Sequence, residues 1–150
     1  MTLKANAITS RKILLAEDDE DDRLIFSAIV NDLSNVNDFS FEAVENGIDV
    51  LQYLDTHVEA LPDLIILDQN MPKMNGRDTL AAVKGNPLFE HIPVVIYSTY
   101  NDSRNIEECI AAGAEQLITK PDSFEGFREM ILKLASRYLK IVPELEDNTL

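Results

Sequence analysis

Reactive and charged side chains stand at the ends of four apolar segments of this sequence. The first segment runs into six consecutive acids in "ILLAEDDEDDR", residues 13–23, and Glu17 and Asp18 are the first two of them. Comparable positions after later segments are occupied by Asp68, the pair Ser98 and Thr99, and Lys120. A carboxylate that meets an ammonium group, a hydroxyl and a bound dication is the arrangement of a phosphoryl-accepting aspartate. The elements that carry these residues decide whether they can meet.

Strand-like and helix-like segments alternate along the chain. The strand candidates are residues 12–16, 39–44, 64–68, 94–98 and 116–120, and four of them are near-continuous apolar runs, as expected for strands buried on both faces. The alternation predicts an α/β fold, a flavodoxin-like, doubly wound, five-stranded parallel sheet in the order 2-1-3-4-5 with helices on both faces. Apolar residues at three- and four-residue steps predict the buried faces of the first and last helices: Leu24, Ile25, Ala28, Ile29 and Leu33, and Phe124, Phe127, Ile131, Leu134 and Tyr138.

The predicted topology brings the polar strand ends to one edge of the sheet, where open parallel sheets bind ligands. Because strands one and three would be neighbours, Asp18 and Asp68 should lie about 5 Å apart. Two carboxylates at that distance repel by roughly 3 kcal/mol at an effective dielectric of about 20, so a cation must offset them. Mg²⁺ prefers such hard oxygen ligands. We therefore predict that Asp68 accepts a phosphoryl group beside Mg²⁺. Lys120 would reach back across the fourth strand and place its charge over the group on Asp68, next to the Ser98 hydroxyl.

The remaining acids of the first motif have a simpler explanation. Glu20, Asp21 and Asp22 fall in the first turn of the predicted helix, where the helix dipole favours negative charge. In the alternative interpretation all six acids serve only to cap this helix. That alternative leaves the matching polar ends of three other strands unexplained.

The composition limits the classes of partner. The chain has 150 residues, a formal net charge of −14 and one cysteine. Such a charge disfavours nucleic acid and anionic membranes as partners, and one cysteine without a signal peptide favours a reducing, cytoplasmic setting. We expect one domain over residues 1–150, with a core at 12–138, a short flexible N-terminus, an acidic C-terminal tail and no separate output module.

Four motifs in order resemble the receiver domain of two-component response regulators, in particular stand-alone, chemotaxis-regulator-like members. They are the acidic pair after the first strand, "DLIILDQNMPKMNG" at residues 63–76, "IPVVIYST" at 92–99 and "ITKP" at 118–121. Each motif alone is weak evidence, but four at matching spacing across residues 12–138 are specific. The resemblance implies a phosphoprotein of a two-component or phosphorelay system that signals through protein contacts and is not itself an enzyme.

The resemblance also implies roles for the residues around the phosphoryl group. Asp68 would take the phosphoryl group, and Lys120 would form an ion pair with it. The Ser98 hydroxyl and the backbone N–H group of Thr99 would donate hydrogen bonds to its oxygens. Pro121 would follow a cis peptide bond, a feature concentrated at proline.

The implied metal and partners follow from the same resemblance. Asp18 and Asp68 would ligate Mg²⁺ directly, Asn70 would supply its backbone carbonyl, and Glu17 would act through a water. The phosphoryl donor would be a sensor histidine kinase or a histidine phosphotransfer protein. The output would be a contact with a downstream protein target, made by a monomer or weak dimer.

The sequence departs from the family pattern near the lysine. The aromatic residue that members commonly carry three positions before it is replaced by Leu117, and the aromatic residue after Lys-Pro is replaced by Asp122. The usual switching movement of that first aromatic residue therefore has no counterpart. One hypothesis is that Tyr100 takes over part of the signalling role; the alternative is that Tyr97 packs in the sheet and Tyr100 is a loop residue.

Two other functions remain open on the sequence alone. A degenerate receiver would bind partners without phosphorylation, although the full set of acids, hydroxyl and lysine argues against it. A phosphatase of the haloacid dehalogenase type also uses an aspartyl nucleophile with Mg²⁺. Its motif carries a second aspartate two residues after the nucleophile, where this chain has Asn70.

Overall fold

A computed structural model describes residues 11–34 and 38–140 of the protein. The predicted flexible N-terminus and acidic tail lie outside these residues. Within residues 11–34 and 38–140, five parallel strands form one sheet in the order β2-β1-β3-β4-β5, which confirms the predicted topology. Their bounds agree with the predicted strands to within one residue: β1 Arg11–Ala16, β2 Phe39–Val44, β3 Leu64–Asp68, β4 Val94–Ser98 and β5 Gln116–Thr119.

In the described part of the chain, five helices connect the strands and follow the last one. They are α1 Glu20–Ser34, α2 Gly47–Thr56, α3 Gly76–Lys84, α4 Ser103–Ala111 and α5 Phe124–Leu134, and α5 continues into a π-helical turn, Ala135–Leu139. A polar side chain begins each helix by accepting hydrogen bonds from backbone N–H groups of the first turn, which have no partner within the helix. These capping residues are Asp19, Asn46, Asn75, Asp102 and Ser123.

The two faces of the sheet bury separate apolar cores. One core packs side chains of α1 and α5 against the sheet, and the other packs side chains of α2, α3 and α4 against the opposite face. Both faces of β3 and β4 are therefore buried, which explains their continuous apolar sequences. Among the residues described, no helix combines the length and apolar character needed to cross a bilayer.

The predicted buried face of α1 is partly wrong. Leu24 is 60% exposed and Ala28 is also exposed, whereas Phe26 and Val30 are buried. The segment "LIFSAIV" offers apolar residues on more than one side of the helix. The orientation that inserts the Phe26 ring among other aromatic rings buries the larger apolar area. In α5 the predicted Phe124 is half-exposed, because it is the first helical residue at the rim of the fold.

Candidate phosphoacceptor and metal site

Three carboxylates meet where β1 and β3 end. The two strands are paired with Ala16 opposite Leu67, so the residues that follow them emerge at the same edge of the sheet. One carboxylate oxygen each from Glu17, Asp18 and Asp68 lies within 4.8 Å of the others. Glu17 and Asp68 are buried, and Asp18 is exposed at the mouth of the site. The structure thus brings together the three acids that the sequence selects as metal ligands.

The loop after β3 is folded tightly over the end of that strand. The N–H group of Gly76 donates to the carbonyl of Gln69, 3.1 Å away. A Cβ atom at Gly76 would lie only 2.7 Å from the carbonyl oxygen of Asp68, so glycine is needed for this close approach. The N–H group of Asn70 donates to Asp68 Oδ1 over 3.3 Å. These contacts fix the backbone that follows the Asp68 carboxylate.

Lys120 supplies the positive charge of the site. Its Nζ atom lies 3.1 Å from Glu17 Oε1, 3.0 Å from Asp22 Oδ2 and 3.8 Å from Asp68 Oδ2. Burial alone would lower the pKa of Lys120, but the hydrogen bond to Asp22 and the charges of Asp68 and Glu17 raise it above its ordinary value. Lys120 is therefore a permanent cation that reaches back over β4 to the acids.

The environment of Asp68 disfavours its negative charge. Burial of the carboxyl group and the nearby charge of Glu17 raise the pKa of Asp68 to about 7, although Lys120 lowers it in part. A pKa near physiological pH means that the positive charge around Asp68 offsets only part of the cost of ionising its carboxyl group. A bound dication would add to that positive charge.

Ser98, the predicted hydroxyl residue, ends β4 and lies beside Lys120, which directly follows β5. Ser98 is buried at the end of β4, and the backbone N–H group of Lys120 donates to its carbonyl over 2.9 Å. The Ser98 hydroxyl donates to the carbonyl of Tyr100 over 3.1 Å. Thr99 and Asn70 are exposed at the same rim. In this structure the hydroxyl thus holds the loop that leads to α4.

Two contacts of the site were not predicted from the sequence. Asp22, assigned only to the helix dipole, is the nearest carboxylate to Lys120. Tyr97 packs in the sheet as the alternative interpretation proposed, but its hydroxyl also donates to Glu17 Oε1. A buried tyrosine usually finds a partner for its hydroxyl. That rule, applied to the strand next to Asp68, was the available signal for Tyr97.

The family model for the response regulator receiver domain matches residues 13–132. The chain belongs to this family. The matched residues contain every site residue described above, from Glu17 to Lys120. The observed fold is the flavodoxin-like fold that the alternation of strands and helices predicts.

Named relatives of this receiver are plant and bacterial response regulators. The two-component response regulator ARR7 of Arabidopsis thaliana is 32% identical over 133 residues, which cover 81% of this chain and 65% of that protein. The phosphorylated cyanobacterial phytochrome response regulator RcpA superposes with a TM-score of 0.77 at 30% identity. The match covers 89% of this chain and 97% of the RcpA chain. The Mn²⁺-bound form of the response regulator Rcp1 superposes with a TM-score of 0.76 at 26% identity, and the match again covers 89% of this chain and 97% of that chain.

The acidic cluster of this receiver fits a divalent ion. Its three carboxylates are hard oxygen donors, which divalent ions of the magnesium type prefer. Two of the three are buried close together, and Lys120 lies within 4 Å of both of these buried carboxylates. The exposed Asp18 leaves the outer side of the cluster accessible to an ion with its waters.

Three features around the site bear on expectations from the family. The Lys120–Pro121 peptide bond is trans, so the expectation of a cis bond is wrong. The trans form is the intrinsically favoured one at proline, and Lys120 reaches the acids without the isomer. Leu117 is partly buried against the core on the α4 side. Tyr100 is 84% exposed, as a loop residue would be, and its proposed signalling role stays a prediction.

Proposed function

We propose that this receiver takes a phosphoryl group on Asp68 from a phosphohistidine of a sensor histidine kinase or a histidine phosphotransfer protein. The observation that carries the proposal is the convergence on Asp68 of Lys120, which follows β5, and of the carboxylates of Glu17 and Asp18, which follow β1. A cation beside a buried carboxylate supplies the positioning and charge neutralisation that phosphoryl transfer mainly needs from a protein.

The proposed reaction is an in-line transfer. One Asp68 oxygen attacks phosphorus, the P–O bond forms as the P–N bond of the phosphohistidine breaks, and the bonding electrons leave with the imidazole. Lys120, already 3.8 Å from Asp68 Oδ2, neutralises negative charge on the transferred oxygens. Mg²⁺ would be held by Asp18, Asp68 and the Asn70 carbonyl, with Glu17 acting through a water. When bound, it stabilises charge on the phosphoryl oxygens.

The signal would leave through the loop after β4. The Ser98 hydroxyl can donate either to the Tyr100 carbonyl, as observed, or to a phosphoryl oxygen, but it has only one proton. A change of partner therefore releases the loop before α4 and biases the surface of α4, β5 and α5 toward a downstream protein target. This route does not need an aromatic residue at Leu117.

Labelling with a small phosphoryl donor tests the proposed acceptor. Acetyl phosphate with Mg²⁺ should place one phosphoryl group on the wild-type chain, and Asp68→Asn should abolish it. Asp63→Asn is the matched control, because Asp63 lies just before β3 and accepts a hydrogen bond from the Lys12 N–H group at the other end of the strand. Labelling of Asp68→Asn at another residue would refute the assignment.

Labelling, partner binding and phosphate-ester turnover together separate the competing functions. A phosphorylation-independent binding module would show no labelling and the same partner binding with and without acetyl phosphate. A phosphatase would turn over a generic phosphate ester with Mg²⁺, and we propose that this chain does not. We further propose that this receiver acts in the cytoplasm, as a monomer or weak dimer, without nucleic acid or membrane partners.

A further inference from the structure

We propose that Tyr97 is a positioning residue for the metal site, which it serves by orienting the buried carboxylate of Glu17. The inference rests on the proposed binding of Mg²⁺ by the acidic cluster. It assigns to the Tyr97 hydroxyl a function that is separate from the packing of its ring.

The contacts of Glu17 show how completely its carboxylate is held. Oε1 accepts the hydroxyl of Tyr97 and lies 3.1 Å from Lys120 Nζ, while Oε2 accepts the N–H group of Asp19 over 3.0 Å. The residue has no exposed surface. Both oxygens are therefore directed by donors of the protein, and the two donors on Oε1 determine how much of that oxygen faces the other acids.

The ring of Tyr97 is itself rigidly placed. Tyr97 pairs with Asp68 across the β3–β4 ladder and is fully buried. Phe26 and Phe127 contact the ring edge to face, with centroid distances of 5.9 and 6.5 Å. The hydroxyl thus stands at the end of a buried side chain whose ring is packed between other rings. Such an outer donor fixes a flexible glutamate at little entropic cost.

The same ring also lies under the lysine. Lys120 Nζ is 5.1 Å from the centroid of the Tyr97 ring, within the range of a cation–π contact. The Tyr97 side chain thus contacts both Glu17 and Lys120, the two charged residues that flank Asp68. Burial and the charge of Glu17 raise the pKa of the Tyr97 hydroxyl, so it remains a neutral hydrogen-bond donor at physiological pH.

Replacement of the hydroxyl alone tests the inference. Tyr97→Phe keeps the ring, its aromatic neighbours and the contact with Lys120, so it should fold as the wild type does. Titration calorimetry with Mg²⁺ alone should show about 10-fold weaker binding, the usual cost of losing an outer-shell partner. Glu17→Gln should also weaken binding. In the Glu17→Gln background, Tyr97→Phe should then weaken it no further, because the hydroxyl acts through Glu17.

Tyr53→Phe is the matched control. The Tyr53 hydroxyl accepts a hydrogen bond from Lys12 Nζ over 2.6 Å, at a place remote from the acids, and its loss should leave the Mg²⁺ affinity unchanged. Circular dichroism in EDTA shows whether each variant is folded.

The outcomes separate this inference from the proposal on which it rests. Equal Mg²⁺ affinity of wild type and Tyr97→Phe, with weaker binding by Glu17→Gln, overturns the positioning role alone. Independent, multiplicative losses in the double variant also overturn it, since the hydroxyl would then act by another route. Failure of the wild type to bind Mg²⁺ overturns both this inference and the metal site.

Discussion

Replacement of the phosphoacceptor should stabilise the metal-free protein at neutral pH. Asp68 is only 4% exposed, and its surroundings raise its pKa from 3.8 to about 7. A shift of this size, at about 1.4 kcal/mol per pKa unit, corresponds to roughly 4 kcal/mol of unfavourable free energy for holding the carboxylate charged. Asp68→Asn keeps the shape and removes the charge. We therefore expect it to raise the free energy of unfolding at pH 8 by about 2–4 kcal/mol.

The sign of the pH dependence follows from proton binding. Between about pH 4 and pH 7 the unfolded chain has lost the Asp68 proton while the folded protein still holds it. The stabilising contribution of the protonated form is complete below pH 4 and is lost as the pH rises through 7. The gain from Asp68→Asn should therefore be small near pH 4 and reach its full size near pH 8.

Urea unfolding followed by circular dichroism measures this gain. Wild type, Asp68→Asn and the control Asp63→Asn would be compared at both pH values in EDTA, and again in excess Mg²⁺. Ligand at 100 times its dissociation constant adds about 2.7 kcal/mol to the wild type, so Mg²⁺ should reduce or reverse the advantage of Asp68→Asn. Lower stability of Asp68→Asn than of wild type at pH 8 in EDTA, or an equal gain at both pH values, would contradict the raised pKa of Asp68.

Three further substitutions probe the neighbours of Asp68. Lys120→Gln removes the cation that competes for the acids, and it should tighten Mg²⁺ binding in calorimetry while slowing labelling by acetyl phosphate; weaker Mg²⁺ binding would contradict this. Asp22→Asn should leave the labelled residue unchanged and cost up to about 1 kcal/mol in urea unfolding, because the contact with Lys120 is partly exposed. Gly76→Ala should cost about 1–3 kcal/mol and slow labelling, because its Cβ atom would press on the Asp68 carbonyl; wild-type stability would show that the loop can shift.

The fold could be predicted because its signal is local. Each strand is a short apolar run bounded by polar or turn residues, and parallel connections of one hand leave few orders for five strands. The face of α1 that packs against the core could not be predicted in this way. Its apolar residues lie on more than one side, and only the aromatic neighbours supplied by other elements select Phe26 over Leu24 for the core.

The acids, Ser98 and Lys120 were placed from strand ends alone, whereas their partners depend on distant contacts. The hydroxyl of Tyr97 meets Glu17 across 80 positions of the chain, and Asp22 meets Lys120 because the lysine side chain reaches back over β4 toward the start of α1. Neither contact has a fixed sequence spacing. Such pairs become visible only when the sheet is assembled.

A crystal structure with Mg²⁺ and beryllofluoride tests the convergence on Asp68 most directly. The account predicts beryllofluoride on the Asp68 carboxylate, one ion bound by Asp18, Asp68 and the Asn70 carbonyl, and Lys120 Nζ within hydrogen-bond distance of a fluoride. An ion bound elsewhere, or Lys120 still paired with Asp22 and turned away from the beryllofluoride, would contradict it.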